Sequence, residues 1–132
     1  LAYVWGYAVG LDLTRRDVQR AAKSKGLPWE GAKVFDGAAP MTAIVPVTRA
    51  GHPDGELWLN VNDEERQRDS LDSQIWSVSE IISRISQCVA LRAGDLIMTG
   101  SPAGVDVLQP GDIINAGIDG VGQLEMRVGQ RP

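Results

Sequence analysis

Apolar residues run along this chain in short bursts separated by Gly, Asp and Pro, a pattern of short strands more than of long helices. Tyr3 to Leu13, YVWGYAVGLDL, is rich in β-branched and aromatic types and predicts a strand buried on both faces. Thr14 lies three residues before Asp17, a capping-box-like start with Asp in place of Glu. Val18, Ala21 and Ala22 then give an apolar stripe, and Gly26 ahead of Pro28 gives the stop, so a short helix is predicted. Asp12 therefore stands at a strand-to-helix junction. MTAIVPV, residues 41–47, is a second short strand that Pro46 restricts to an edge or an ending.

The middle of the chain reads as a hairpin followed by a helix. ELWLNVNDEERQ puts Leu57, Leu59 and Val61 on one strand face, and Asn62 with Asp63 makes a tight turn into a return strand. Ser77 with Glu80 forms a second capping box, after which Ile81, Ile82, Ile85, Cys88 and Val89 follow helical spacing as a packing stripe. AGDLIMTG and PGDIINAG each read as a Gly-Asp turn feeding an apolar strand, the first ending at Thr99 and the second at Ala116. Asp119 and Gly120 mark one more hairpin turn, into GQLEMRV.

Size and charge narrow the function classes. A chain of 132 residues fits one domain with a sizeable core. A net charge of -4 and a pI near 4.9, with the arginines scattered among acids, lack the basic footprint of a nucleic-acid binder. No apolar stretch is long enough to cross a bilayer, so no membrane partner is expected. The single cysteine excludes an internal disulfide; Cys88 is expected to be a small core residue in a reducing, cytoplasmic setting. The chain opens at Leu1 directly into a strand-like segment, which suggests a piece of a longer polypeptide.

Candidate chemistry gathers at the first junction. Arg16 and Gln19 are three apart on the predicted helix and share a face near its N-terminus, where an anion would also meet free backbone amides. The residues alone leave open whether Asp12, Arg16 and Gln19 form a site or whether Asp12 merely completes the junction. In GHPDGE, His52, Asp54 and Glu56 alternate as metal ligands on a strand would, but Pro-Asp-Gly is a turn and breaks the alternation, so this is a loop. That removes the only histidine as a general base, and no Ser-His-Asp or Cys-His set remains. Lys33 sits in a small, apolar, glycine-containing stretch, where a lysine commonly covers apolar neighbours with its stem. TGSPAGV, residues 99–105, is a Gly-rich loop carrying the Thr99 and Ser101 hydroxyls, and it lacks the Gly-Lys-Ser/Thr of a phosphate loop.

The order of these motifs is more specific than any one of them. GYAVGLDLTRRDVQ, KGLPWEGAKVFDGAAP, VNDEERQ, LRAGDLIMTGSPAGV and PGDIINAGIDGVGQLEMRV, in that order over nearly the whole chain, resemble the C-terminal catalytic domain of the fumarylacetoacetate hydrolase family. The likeness is greatest to its acylpyruvate and fumarylpyruvate hydrolases. It implies an α+β, β-rich fold, a mixed β-sandwich or β-roll of short strands with two short helices, and commonly a homodimer. It also implies that Asp12 is a ligand of Mg2+, with Mn2+ or Ca2+ as other hard cations suited to oxygen donors. Arg16 and Gln19 match the family's substrate-facing positions. Lys33 matches its active-site lysine, expected to serve both catalysis and substrate binding, and Ser101 takes the hydroxyl position of the family's Thr-Gly-Thr-Pro loop.

The implied substrate is a 2,4-dioxo acid, cut at a carbon–carbon bond into pyruvate and a carboxylic acid. Within the family, oxaloacetate decarboxylation and the isomerisation or decarboxylation of a hydroxymuconate-type diacid are the alternatives; outside it, a truncated, non-catalytic binding module. The family's Glu-x-Glu ligand pair and its His/Glu base are expected upstream of Leu1. Asp63 stands where the family usually has Gly.

Overall fold

The computed structural model describes residues 1–130. The elements are β1 (Gly6–Tyr7), α1 (Arg16–Lys23), β2 (Val45–Pro46), α2 (Val47–Ala50), β3 (Glu56–Val61), β4 (Glu64–Ser70), α3 (Val78–Ser86), β5 (Ile113–Ile118) and β6 (Gly122–Arg127). Single 3-10 turns lie at Glu30–Ala32 and Leu71–Ser73. Gly10–Met41 is one compact unit, and the remaining described residues make a second, larger one. The class is α+β and β-rich, as expected, with α2 as an additional one-turn helix.

The larger unit is built on a four-stranded antiparallel sheet in the order β4-β3-β5-β6. Register puts Leu57, Leu59 and Val61 of β3 opposite Ile118, Ala116 and Ile114 of β5, which in turn face Gly122, Leu124 and Met126 of β6. Val61, Ile114 and Ala116 are the buried centre of that apolar face. The β3–β4 turn is the expected two-residue loop, with Asn62 at φ 51° and Asp63 at φ 66°. Two successive left-handed residues define the type I′ turn that matches strand twist, and glycine bears the second position at least cost. Asp63→Gly is expected to stabilise the chain by about 0.5–1 kcal/mol, read as a higher urea midpoint at unchanged slope; a lower midpoint would remove this strain argument.

Asn62 also ties the hairpin to the start of β5. Its Oδ1 accepts from the Ile113 amide at 2.9 Å and its Nδ2 donates to Asp112 Oδ1 at 2.8 Å. The Gln109 backbone amide, together with the Asn62 side chain, holds the Asp112 carboxyl below its ordinary pKa. A carboxylate with a depressed folded pKa contributes stability that is fully present above the unfolded value, about 4, and lost as pH falls through the folded one. Asp112→Asn is therefore expected to flatten the loss of stability below about pH 4. Urea midpoints measured from pH 6 down to pH 3 check this, and an unchanged acid limb would contradict it.

Several expected elements are shorter than their apolar composition predicts. The Tyr3–Leu13 stretch pairs in a sheet only at Gly6 and Tyr7, opposite Pro46 and Val45, with one further bridge between Gly10 and Met41. The Val47 amide still bonds the Trp5 carbonyl and the Thr42 amide the Val9 carbonyl, at 3.0 and 2.9 Å, but the Val9 amide takes the Thr42 hydroxyl at 3.1 Å in place of a backbone carbonyl, which breaks the regular ladder there. Tyr3 and Trp5 are 95% and 67% exposed, so this stretch is not buried on both faces. AGDLIMTG keeps its turn, with Gly94 at φ 97° and the Asp95 amide on the Arg92 carbonyl, but forms no strand; Leu96 and Met98 are exposed. The Ser77–Glu80 capping box is present and opens α3. That helix ends at Ser86, and both the Cys88 and Val89 amides close on the Ile85 carbonyl. The turn takes Cys88 off the apolar stripe, so it is exposed and not a core residue.

Candidate active site

The smaller unit holds four of the five candidate residues. Its frame is a run of backbone bonds: Leu11 amide to Pro40 carbonyl, Leu13 to Ala38 and Arg15 to Ala32, at 3.0, 2.9 and 2.9 Å. This pairing extends past Thr14, so α1 starts one residue late, with Arg15 at its N-cap and no capping side chain. Thr14 therefore does not form the expected box. The C-terminal stop holds: Gly26, at φ 62°, donates to Lys23 and Leu27 donates to Ala22, the paired bonds of a Schellman motif.

The frame fixes where each polar side chain emerges. Leu11 is buried and Asp12, next to it, is exposed, as alternation along an extended segment requires. The 3-10 turn Glu30–Ala32 buries Ala32 completely and ends at Lys33, whose amide bonds Glu30 at 2.8 Å. Lys33 Nζ then lies 2.8 Å from Asp12 Oδ2, an ion pair with the two side chains 31% and 45% exposed. On α1, Arg16 Nη1 donates to Gln19 Oε1 at 3.1 Å. Gln19 is 8% exposed, the buried polar residue of the described chain, and its carbonyl oxygen orients a guanidinium that is itself exposed. One unit thus carries a carboxylate bridged to an ammonium and a guanidinium held by a fixed amide. Such a set offers both an oxygen ligand for a hard cation and directed donors for an anion.

The remaining candidates lie in the larger unit. Ser101 is exposed, on the loop that follows Gly100. His52 is taken up by Tyr7: the phenol oxygen is 2.7 Å from His52 Nδ1 and the rings meet edge to face at 5.7 Å, while burial raises the Tyr7 pKa. No group of three His, Cys, Asp or Glu side chains able to hold a metal occurs among the described residues; residues 51–55 lie between α2 and β3, outside helix and strand. Asp12 suits a divalent ion in kind, being an accessible carboxylate, and it would supply one of the several ligands such an ion takes. Sequence spacing suggested the Arg16–Gln19 contact. The Asp12–Lys33 contact, across 21 residues, carried no local signal.

The family model described as Fumarylacetoacetate (FAA) hydrolase C-terminal matches residues 1–129. The chain belongs to this family. It is 47% identical over 127 residues to mitochondrial oxaloacetate tautomerase FAHD1 of Mus musculus, covering 96% of the chain and 58% of that protein. Against fumarylpyruvate hydrolase from Pseudomonas aeruginosa, solved in complex with Mn2+ and pyruvate, it is 45% identical with a TM-score of 0.95, covering 98% of this chain and 56% of the other. Yeast ynq8, a fumarylacetoacetate hydrolase family protein, matches with 34% identity and a TM-score of 0.89, over 98% of this chain and 57% of that one. The chain thus spans somewhat under three-fifths of the length of these relatives. No helix among the described residues is long and apolar enough to cross a membrane.

Proposed function

We propose that the polypeptide containing this chain hydrolyses 2,4-dioxo acids of the fumarylpyruvate type, cutting a carbon–carbon bond to release pyruvate and a carboxylic acid. The observation that carries the reading is the Asp12–Lys33 pair at 2.8 Å, in the same unit as the Arg16–Gln19 pair. It is supported by 45% identity to a hydrolase that binds Mn2+ and pyruvate. In this reading Asp12 is one ligand of a divalent cation of the Mg2+ or Mn2+ class. When bound, that ion supplies positive charge to the 2-oxo carboxylate end of the substrate.

The chain's own residues do the rest of their part by direct contact. The Arg16 guanidinium, held by Gln19, takes a substrate carboxylate through two parallel N–H donors. Lys33 Nζ, positioned by Asp12, donates to the oxygen on which negative charge grows as the bond breaks. The Ser101 hydroxyl is a further donor to the substrate. One water enters: its oxygen joins the distal carbonyl carbon, the bond from that carbon to the methylene breaks with its electrons going to the pyruvate enolate, and a proton returns to the methylene carbon. The base that takes the water's proton is assigned to the family's upstream His/Glu pair. A homodimer belongs to the same proposal. A reducing compartment suits the exposed, unpaired Cys88, and with the FAHD1 relative mitochondrial by name, the cytoplasm is one of two compartments the reading fits.

The second reading is oxaloacetate chemistry, tautomerisation or decarboxylation, and the 47% identity to an oxaloacetate tautomerase favours it. It uses the same contacts on a 2-oxo carboxylate but needs no attacking water. Proton NMR of the full polypeptide with Mn2+ replaced by Mg2+, supplied in turn with fumarylpyruvate and oxaloacetate, separates the two. Fumarate with pyruvate from the first substrate supports hydrolysis. Accelerated enol–keto exchange or carbon dioxide release from oxaloacetate, with fumarylpyruvate untouched, replaces it with the second reading. Binding without turnover of either leaves the non-catalytic module.

A further inference from the structure

Strand β4 is the edge of its sheet, and it carries one residue more than its partner. Leu59 pairs with Gln67 and Asn60 with Glu65, so Arg66 bulges out of the ladder. A bulge frees a backbone carbonyl and re-aims the neighbouring side chains, and here the Arg66 carbonyl and the Arg66 and Gln67 side chains meet the loop that bears Ser101. A Cβ at Gly104 would collide with the Arg66 carbonyl oxygen, and Gly104 has φ 100°, so only glycine fits this approach. Arg66 Nη1 donates to Asp106 Oδ2 at 2.9 Å while its Nη2 lies 3.2 Å from Glu64. Gln67 Nε2 donates to the Pro102 carbonyl at 3.0 Å, one residue from Ser101, and both Gln67 and Pro102 are half-buried.

We infer that the bulge at Arg66 is a seat for the Thr99–Asp106 loop and that Gln67 is a positioning residue for the Ser101 hydroxyl. The inference rests on the reading that Ser101 contacts the substrate. The loop has no strand pairing of its own, so its placement depends on these few contacts. The Arg66–Asp106 ion pair is exposed and contributes little rigidity. The Gln67 bond is better shielded from water, and it holds the backbone directly beside the hydroxyl. Losing it lets Ser101 drift, which costs transition-state contact more than ground-state binding.

The test is a double-mutant cycle in the full polypeptide with Gln67→Met, which keeps length and volume and removes the donor, and Ser101→Ala. Gln67→Met is expected to lower kcat roughly tenfold, the weight of one hydrogen bond, with KM changed by less than about twofold. In the Ser101→Ala background it should then have no further effect. Gln67→Lys, which restores a donor, should recover most of the loss. Equal losses in both backgrounds would overturn the positioning role. No effect of Ser101→Ala alone would instead show that the hydroxyl does not touch substrate, a failure of the functional reading that removes the inference with it. Independently of any substrate, amide hydrogen exchange at Gly100, Ser101, Ala103 and Gly104 should quicken about tenfold in Gln67→Met with β5 unchanged; unchanged exchange there would overturn the seat itself.

Discussion

Asp12→Ala in the full polypeptide is expected to cut turnover by roughly three orders of magnitude, and added Mg2+ is expected to restore none of it. The size of the effect follows from two roles of one carboxylate. In the proposed site Asp12 is an oxygen ligand of the divalent ion, and its Oδ2 holds Lys33 Nζ at 2.8 Å. Removing it releases the ammonium that is to meet developing negative charge and takes away a ligand at the same time. Excess metal replaces neither, because the missing group is on the protein. Asp12 is exposed, and its backbone neighbours Leu11 and Leu13 keep their bonds to Pro40 and Ala38, so the variant should fold. Steady-state rates and a urea midpoint on the same preparation decide the matter. Wild-type rates in a folded Asp12→Ala protein would take Asp12 out of the site.

Ile114→Ala is expected to cost about 2–5 kcal/mol of stability, the largest loss from any single truncation in the sheet. Ile114 is 1% exposed and is the largest fully buried side chain among the described residues. It lies in the inner strand β5, opposite Val61 on β3 and Met126 on β6, so both flanking strands lose contacts when it shrinks. Inner strands with paired backbone on both sides relax little, and the cavity stays open. The expected signature is a lower urea midpoint at the same slope, with Ile114→Val losing about 1 kcal/mol. A loss under 1 kcal/mol for the alanine variant would mean that the sheet face is not packed as the register implies.

What the sequence revealed divides according to whether the deciding physics is local. Asn62 and Asp63 write a type I′ turn, and the structure bends there. Ser77 and Glu80 write a capping box, and α3 starts there. Both need only residues a few positions apart. Strand length was not legible, because it depends on a partner: Tyr3–Leu13 and AGDLIMTG have strand composition, yet the Thr42 hydroxyl interrupts the regular ladder of the first and the second never forms one. Cys88 fitted the helical stripe, but tightening of the last turn onto the Ile85 carbonyl took it out. At the site, the spacing of Arg16 and Gln19 foretold their contact. The Asp12–Lys33 pair depends on the backbone pairing of residues 11–15 with 32–40, and the Gln67 seat on a bulge in β4, neither of which any periodicity encodes.

The most direct measurement is Mn2+ binding to the full polypeptide followed by water-proton relaxation, with and without pyruvate, in the wild type and in Asp12→Asn. If Asp12 ligates the ion and the 2-oxo carboxylate shares it, pyruvate tightens Mn2+ binding in the wild type, and Asp12→Asn weakens Mn2+ roughly tenfold or more and abolishes the pyruvate effect. Equal Mn2+ affinity in the two proteins, with the pyruvate effect intact in Asp12→Asn, would contradict the assignment of this site.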